Sequence, residues 1–165
     1  MSDVIVPSTL LRTDAVYRSF GTRAQRIGCG FWLAHPSSDE SGVINPFCAV
    51  SLVLRGSAVF TDHRRVRTTL RPGMAYARLP GRRHSLVYGP SYAECWIDLG
   101  VAVGAIPETT SLIHVERTVF SPGIDLSLVR RIDRTLTALR AADVAQLPVL
   151  AIELLAIVGA LVSLE

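Results

Sequence analysis

The sequence predicts a mostly β fold, a small antiparallel barrel or sandwich, finished by two C-terminal α-helices. Three observations carry that expectation. Between Phe47 and Gly100, short apolar runs alternate with turn signals, most of the joints marked by Gly or Pro. After Ser121, apolar residues recur at helical spacing. From Leu147 onward a helix would be apolar on every side, with Glu153 its only charge before the terminus.

Residues 1–15 have no clear period and read as an arm or an edge strand. Residues 17–26 and 30–34 each suit a strand, separated by Ile27-Gly28-Cys29. Residues 35–45 contain Pro36-Ser37-Ser38-Asp39-Glu40-Ser41-Gly42, a surface loop by composition. Strands follow over residues 50–54, 58–61, 66–70, 75–79, 84–88 and 92–99, with joints at Arg55-Gly56, Asp62-His63, Arg71-Pro72-Gly73, Pro80-Gly81 and Gly89-Pro90. The pattern changes after Pro107. Ser121-Pro122 suits a helix start, Ser as cap and Pro in the first turn. Leu126, Val129, Ile132, Leu136 and Leu139 then form one face, opposite Arg130, Arg131, Asp133, Arg134 and Arg140. Asp143 and Gln146 have the spacing of a capping box, and Pro148 puts the regular start of the next helix near Leu147. The expected organisation is a barrel with an N-terminal arm over residues 1–107 and a helical segment over 108–165, packed as one structural unit.

The last helix needs cover on all sides. Leu147, Leu150, Leu154, Ile157 and Leu161 form one stripe, and Val149, Ile152, Ala156, Ala160 and Val162 fill much of the rest. The barrel can cover one side, and a second copy of the chain is the economical cover for the other. A homodimer is therefore expected through Val149, Leu150, Glu153, Leu154, Ile157 and Ala160. A membrane span fits less well: the segment is barely long enough, carries Pro148 and Glu153, and lacks flanking basic anchors. No membrane partner is expected.

Composition narrows the class. The chain has 165 residues, 49% hydrophobic and 19% charged, the profile of one globular domain. The first ten residues lack a basic start followed by an apolar run. Cys29, Cys48 and Cys95 are odd in number and far apart, so a cytoplasmic location with buried free thiols is expected. The formal charge is +3, and all 17 basic residues are Arg. Their densest clusters, at residues 63–67 and 82–84, fall at hairpin turns or strand starts, where charge keeps a sheet edge solvated. Direct DNA binding by this chain is not expected.

No G-x-S-x-G elbow, P-loop, G-x-G-x-x-G or H-E-x-x-H occurs. Gly28-Cys29-Gly30 reads as no more than a small-residue turn. The candidate chemistry comes from strand alternation. If His84 points inward, so do Leu86 and Tyr88, and on the next strand Glu94, Trp96 and Asp98 share one face. Two arrangements fit: an aromatic platform flanked by polar groups in a small-molecule pocket, or carboxylates facing water with Trp96 over the barrel mouth.

The order of motifs resembles the regulatory domain of the AraC family of bacterial transcription regulators. Val53-Leu54-Arg55-Gly56-Ser57-Ala58 is similar to that family's apolar strand and Arg-Gly hairpin. Leu70-Arg71-Pro72-Gly73, then Leu79-Pro80-Gly81-Arg82-Arg83-His84, follow at the family spacing, with Trp96 on a later strand. Leu150-Ala151-Ile152-Glu153-Leu154-Leu155 is similar to the start of its dimer-forming helix. The resemblance spans residues 35–161 and implies a cupin-like barrel of jelly-roll type that binds a small effector. DNA would be reached only through a C-terminal helix-turn-helix domain not present here. The resemblance also adds His35, followed by Pro36, as a ligand contact, where sugar-binding members carry Arg, and Leu86 stands where they carry an aromatic. The expected ligand set is thus His35, His84, Leu86, Tyr88, Glu94 and Trp96, and Glu94 favours a cationic or hydroxyl-rich effector.

The competing expectations are a stand-alone metal-dependent cupin enzyme and a plain dimerisation module. A cupin metal site needs two or three His and a carboxylate converging in the barrel. The region where they belong holds only Asp62 and His63 among Arg64, Arg65 and Arg67. The sequence therefore assigns no catalytic residue, metal or cofactor, and the chain is read as a non-enzyme.

Overall fold

Asp14–Ser19 and Arg26–Leu33 form strands β1 and β2, and Glu40–Ile44 forms β3. The central run gives β4 (Cys48–Arg55), β5 (Ala58–Thr61), β6 (Arg67–Leu70), β7 (Ala75–Arg78), β8 (Arg83–Tyr88) and β9 (Ala93–Leu99). Helix α1 (Val101–Thr109), a short β10 (Val119–Phe120), α2 (Leu126–Ala141) and α3 (Leu147–Ser163) complete the chain. This computed structural model describes residues 4–22, 25–35, 38–109 and 112–165.

The strands form two antiparallel sheets. One is six-stranded, in the order β1-β2-β9-β4-β7-β10, and the other four-stranded, in the order β3-β8-β5-β6. Among the described residues no ladder joins the two sheets, so the expected closed jelly-roll barrel is corrected to two facing sheets. The larger sheet is covered on both sides. Its outer face carries Cys29, Phe31, Val50, Leu52, Cys95, Ile97 and Leu99, which share one apolar core with α2 and α3. Its inner face meets the small sheet through a second cluster built on Val53, Phe60, Leu70, Tyr76, Leu86 and Tyr92.

Four sequence expectations change. Residues 35–45 are not all loop, because Glu40–Ile44 pairs with β8 as an edge strand. Ile27-Gly28-Cys29 is no break between strands but lies inside β2, paired to β1 and β9. Three α-helices form rather than two. Helix α1 follows β9 directly and packs beside β4, β9 and α3, which offsets the poor helix propensity of Gly104 and Pro107. The start of α2 also shifts: Asp125 rather than Ser121 is the cap, its carboxylate accepting from Ser127 N at 2.7 Å.

The Asp143 capping box is present. Its carboxylate accepts from Gln146 N at 3.0 Å, and Gln146 Oε1 accepts from Asp143 N at 2.9 Å. It opens a 3-10 turn that runs into α3, with Pro148 in the first turn. Leu147, Ala151, Leu154, Ile157, Val158 and Leu161 bury one face of α3 in the main core. Leu154 and Ile157 are 0% exposed within the single chain, so they are core residues and not, as expected, part of a surface for a second copy. Val149 and Ile152 are exposed at 69% and 67%, while Leu150, Glu153 and Ala160 are half-buried, Glu153 accepting from Arg131 Nε at 3.0 Å. Val144–Ser163 is long and apolar enough to cross a membrane by length and composition. The core helix of a soluble protein passes the same test, and one face of this helix is packed into the core.

Candidate ligand-binding cleft

Strand pairing brings the site together. Across the inner face of the large sheet, Gly28, Gly30 and Trp32 on β2 stand opposite Asp98, Trp96 and Glu94 on β9. On the other side of β9, Ala49, Ser51 and Val53 of β4 pair with the same three residues, and Tyr76 and Arg78 of β7 pair with Ser51 and Ala49. Period-2 alternation thus puts one row of polar and aromatic side chains on the face opposite the helices. The two glycines make room for it. A Cβ on Gly30 would lie 2.5 Å from Asp14 O and 2.8 Å from Trp96 Cζ2, and one on Gly28 would lie 2.6 Å from Tyr17 Cδ1. Tyr17 and Trp96 stack over this floor, with ring centroids 5.1 Å apart.

Between the sheets lies a cleft of about 300 Å³, whose lining includes Tyr17, Arg26, Trp32, Glu40, Arg78, Tyr88, Glu94, Trp96 and Asp98. Its charges are held in fixed pairings. Glu94, 3% exposed, accepts from the hydroxyls of Tyr76 and Tyr92 at 2.7 Å each and from Ser51 at 3.3 Å. Asp98, 2% exposed, accepts from Arg26 Nη2 at 3.0 Å. The Arg26 guanidinium lies over the rings of Tyr17 at 4.5 Å and Phe47 at 4.0 Å. Arg78 Nη2 donates to Ser51 Oγ at 3.3 Å, and Nη1 lies 3.9 Å from Glu40 Oε1. His84 Nε2 lies 3.3 Å from Glu40 Oε2, a close polar contact without hydrogen-bond alignment.

These surroundings set the proton affinities. Burial pushes the Glu94 carboxyl above its ordinary range against the pull of Arg78 and the two tyrosine hydroxyls. Burial does the same to Asp98 against Arg78 and Arg26. At Glu40 burial also raises the pKa, but the contacts with His84 and Arg78 outweigh it and hold the carboxyl below its ordinary range. The Tyr17 hydroxyl is pushed up to about 12 by burial and by Asp98.

Of the six residues proposed from sequence, Tyr88, Glu94 and Trp96 line the cleft. His84 sits behind its wall, 3% exposed, against Glu40. Leu86 is fully buried in the inter-sheet cluster, and His35 is exposed after β2; neither lines the cleft, which corrects their placement as ligand contacts. Sequence reasoning missed Arg26, Arg78, Glu40, Tyr76 and Tyr92. Carrying alternation across the paired strands would have found Tyr76 and Arg78, which share a face two residues apart. Among the described residues no group of three or more His, Cys, Asp or Glu side chains could hold a metal ion. A second depression, about 350 Å³, runs between α1 and α3 and is lined by Phe20, Val103, Ile106, Ile152 and Leu155. Its walls are almost wholly apolar, so it lacks the convergent polar groups that orient a small ligand.

No protein-family model matches the chain, and no curated protein matches it. Solved structures do. A double-stranded β-helix protein from Klebsiella pneumoniae is 21% identical over 45% of this chain and 63% of its own, with a TM-score of 0.39. A Thermus thermophilus protein is 15% identical over 60% and 98%, with a TM-score of 0.43. A DMSP lyase from Ruegeria pomeroyi is 16% identical over 46% and 38%, with a TM-score of 0.38. The chain thus spans less than two thirds of the Klebsiella protein and of the lyase. Because such matches include lyases, the expectation of a non-enzyme is corrected: the fold leaves catalysis open.

Proposed function

We propose that this chain is the ligand-sensing and dimerisation domain of an AraC-type transcription regulator of the cytoplasm, with a small effector held between the two sheets. One observation carries the sensing half: a cleft of about 300 Å³ is walled by aromatic rings and five Arg, Asp and Glu side chains, where a sandwich built for stability alone would hold apolar ones. Tyr88, Glu94 and Trp96 contact the effector, and His84 acts on it through Glu40. The dimerisation half is supported by the exposed apolar residues Val149 and Ile152 on the outward face of α3. DNA is reached through a helix-turn-helix domain outside this chain. The switch needs the effector to favour one conformation over another by ~1–3 kcal/mol.

A thermal-shift screen against sugars, polyamines, aromatic amines and aromatic acids tests the reading. A ligand at about a hundredfold excess over Kd should stabilise the protein by ~2.7 kcal/mol, and Trp96→Leu should abolish that shift. If no compound class moves the melting temperature, the sensing reading is refuted.

A further inference from the structure

The charges lining the cleft do not balance. Three carboxylates (Glu40, Glu94, Asp98) face two guanidiniums (Arg26, Arg78), so one negative charge is in excess when all are ionised. Glu94 and Asp98 are committed to Tyr76, Tyr92, Ser51 and Arg26. Glu40 is held more loosely: its Oε1 accepts from Tyr88 Oη at a long 3.5 Å and lies 3.9 Å from Arg78 Nη1, while its buried Oε2 faces His84 Nε2 at 3.3 Å without hydrogen-bond alignment. Two aromatic rings stand beside it: Trp32 meets Tyr88 edge-on with centroids 4.7 Å apart, and both line the cleft with Glu40. A loosely held carboxylate beside aromatic rings attracts an organic cation through both charge and the ring quadrupole.

Resting on the ligand-sensing reading above, we infer that the cleft takes a small organic cation, an amine with an apolar or aromatic body, its ammonium group against Glu40, Tyr88 and Trp32. Such a ligand neutralises the excess charge and gives Glu40 Oε1 a closer donor than the Tyr88 hydroxyl at 3.5 Å. A carboxylate ligand adds a further negative charge, and a neutral polyol leaves the excess in place.

Titration calorimetry of the full chain with three probes on one skeleton tests this: 2-phenylethylamine, phenylalanine and 3-phenylpropionate. The amine should bind best, about tenfold or more tighter than the acid, equivalent to ~1.4 kcal/mol. Glu40→Gln should weaken the amine by about tenfold and leave the acid unchanged or improved. Trp32→Leu should weaken the amine as well, and it serves as the second variant should Glu40→Gln melt early. The inference is overturned if the acid or the amino acid binds as tightly as the amine, or if folded variants keep native affinity for it. If none of the three binds while a compound of another class raises the melting temperature, the cation assignment fails and the sensing reading survives. If no class binds, both fall.

Discussion

Replacing Gly30 by Ala is the sharpest probe of how the cleft floor is built. The added Cβ would stand 2.5 Å from Asp14 O, 2.8 Å from Trp96 Cζ2 and 3.0 Å from Ala15 Cα. Two of those neighbours are backbone atoms of a paired strand, because Ala15 stands directly opposite Gly30 in the β1–β2 ladder. They cannot rotate away as a flexible side chain would, so β1 must shift outward or Trp96 must leave its stack with Tyr17. Overpacking of this kind costs ~1–3 kcal/mol. For a chain of this size each kcal/mol lowers the melting temperature by roughly 2–4 °C, so a midpoint cost of ~2 kcal/mol predicts a drop of about 4–8 °C. Thermal unfolding followed by circular dichroism reads the drop, and tryptophan fluorescence should change with it as Trp96 moves. Gly159→Ala is the matched control. It lies in α3 with nothing within 4 Å of the new Cβ, so the better helix former should stabilise by ~1 kcal/mol. Equal melting temperatures for Gly30→Ala and the native protein, with unchanged fluorescence, would refute the claim that these glycines exist to admit Trp96 and Tyr17.

Two further outcomes are expected. The folded-state pKa of Glu94 is raised, so its titration removes stability as pH rises from the ordinary Glu range through that raised value. The Glu94→Gln variant lacks this loss, so its stability relative to the native protein should improve steadily with pH across that window in parallel urea titrations. A difference that is flat or falls with pH would contradict the burial argument. On α3, Leu154→Arg should unfold the protein, because Leu154 is 0% exposed, whereas Ile152→Arg should stay within ~0.5 kcal/mol of native. If the outward face of α3 pairs with a second copy, light scattering should show Ile152→Arg as a monomer; a persistent dimer would remove that face from the interface.

The β elements were legible because turn chemistry at Gly56, Pro72-Gly73 and Pro80-Gly81 brackets short apolar runs, and Gly56 has the positive φ of +74° that its turn requires. Strand β3 was not legible. An edge strand with one neighbour keeps a polar composition, so its Glu, Ser and Gly residues read as loop, and Glu40 was lost with it. Arg78 was missed for a related reason. Arg on a strand reads as solvent-facing, and only the pairing of β7 with β4 shows that it points between the sheets. His35 failed the other way, since the resemblance that singled it out carries no information on where this chain turns after β2. For α2, Ser121-Pro122 and Asp125 are both chemically good starts; the left-handed Gly123, φ +79°, breaks the chain between them and leaves the cap to Asp125.

Strand β9 belongs to two compartments at once. Its even-numbered residues Glu94, Trp96 and Asp98 face the cleft, and the odd-numbered Cys95, Ile97 and Leu99 are set in the core shared with α2 and α3. Neighbouring side chains on one backbone cannot be displaced independently in a close-packed interior. Anything that nudges the indole on one side therefore tugs the leaflet on which the terminal helices are seated, which makes this ribbon a ready-made lever from chamber to exterior.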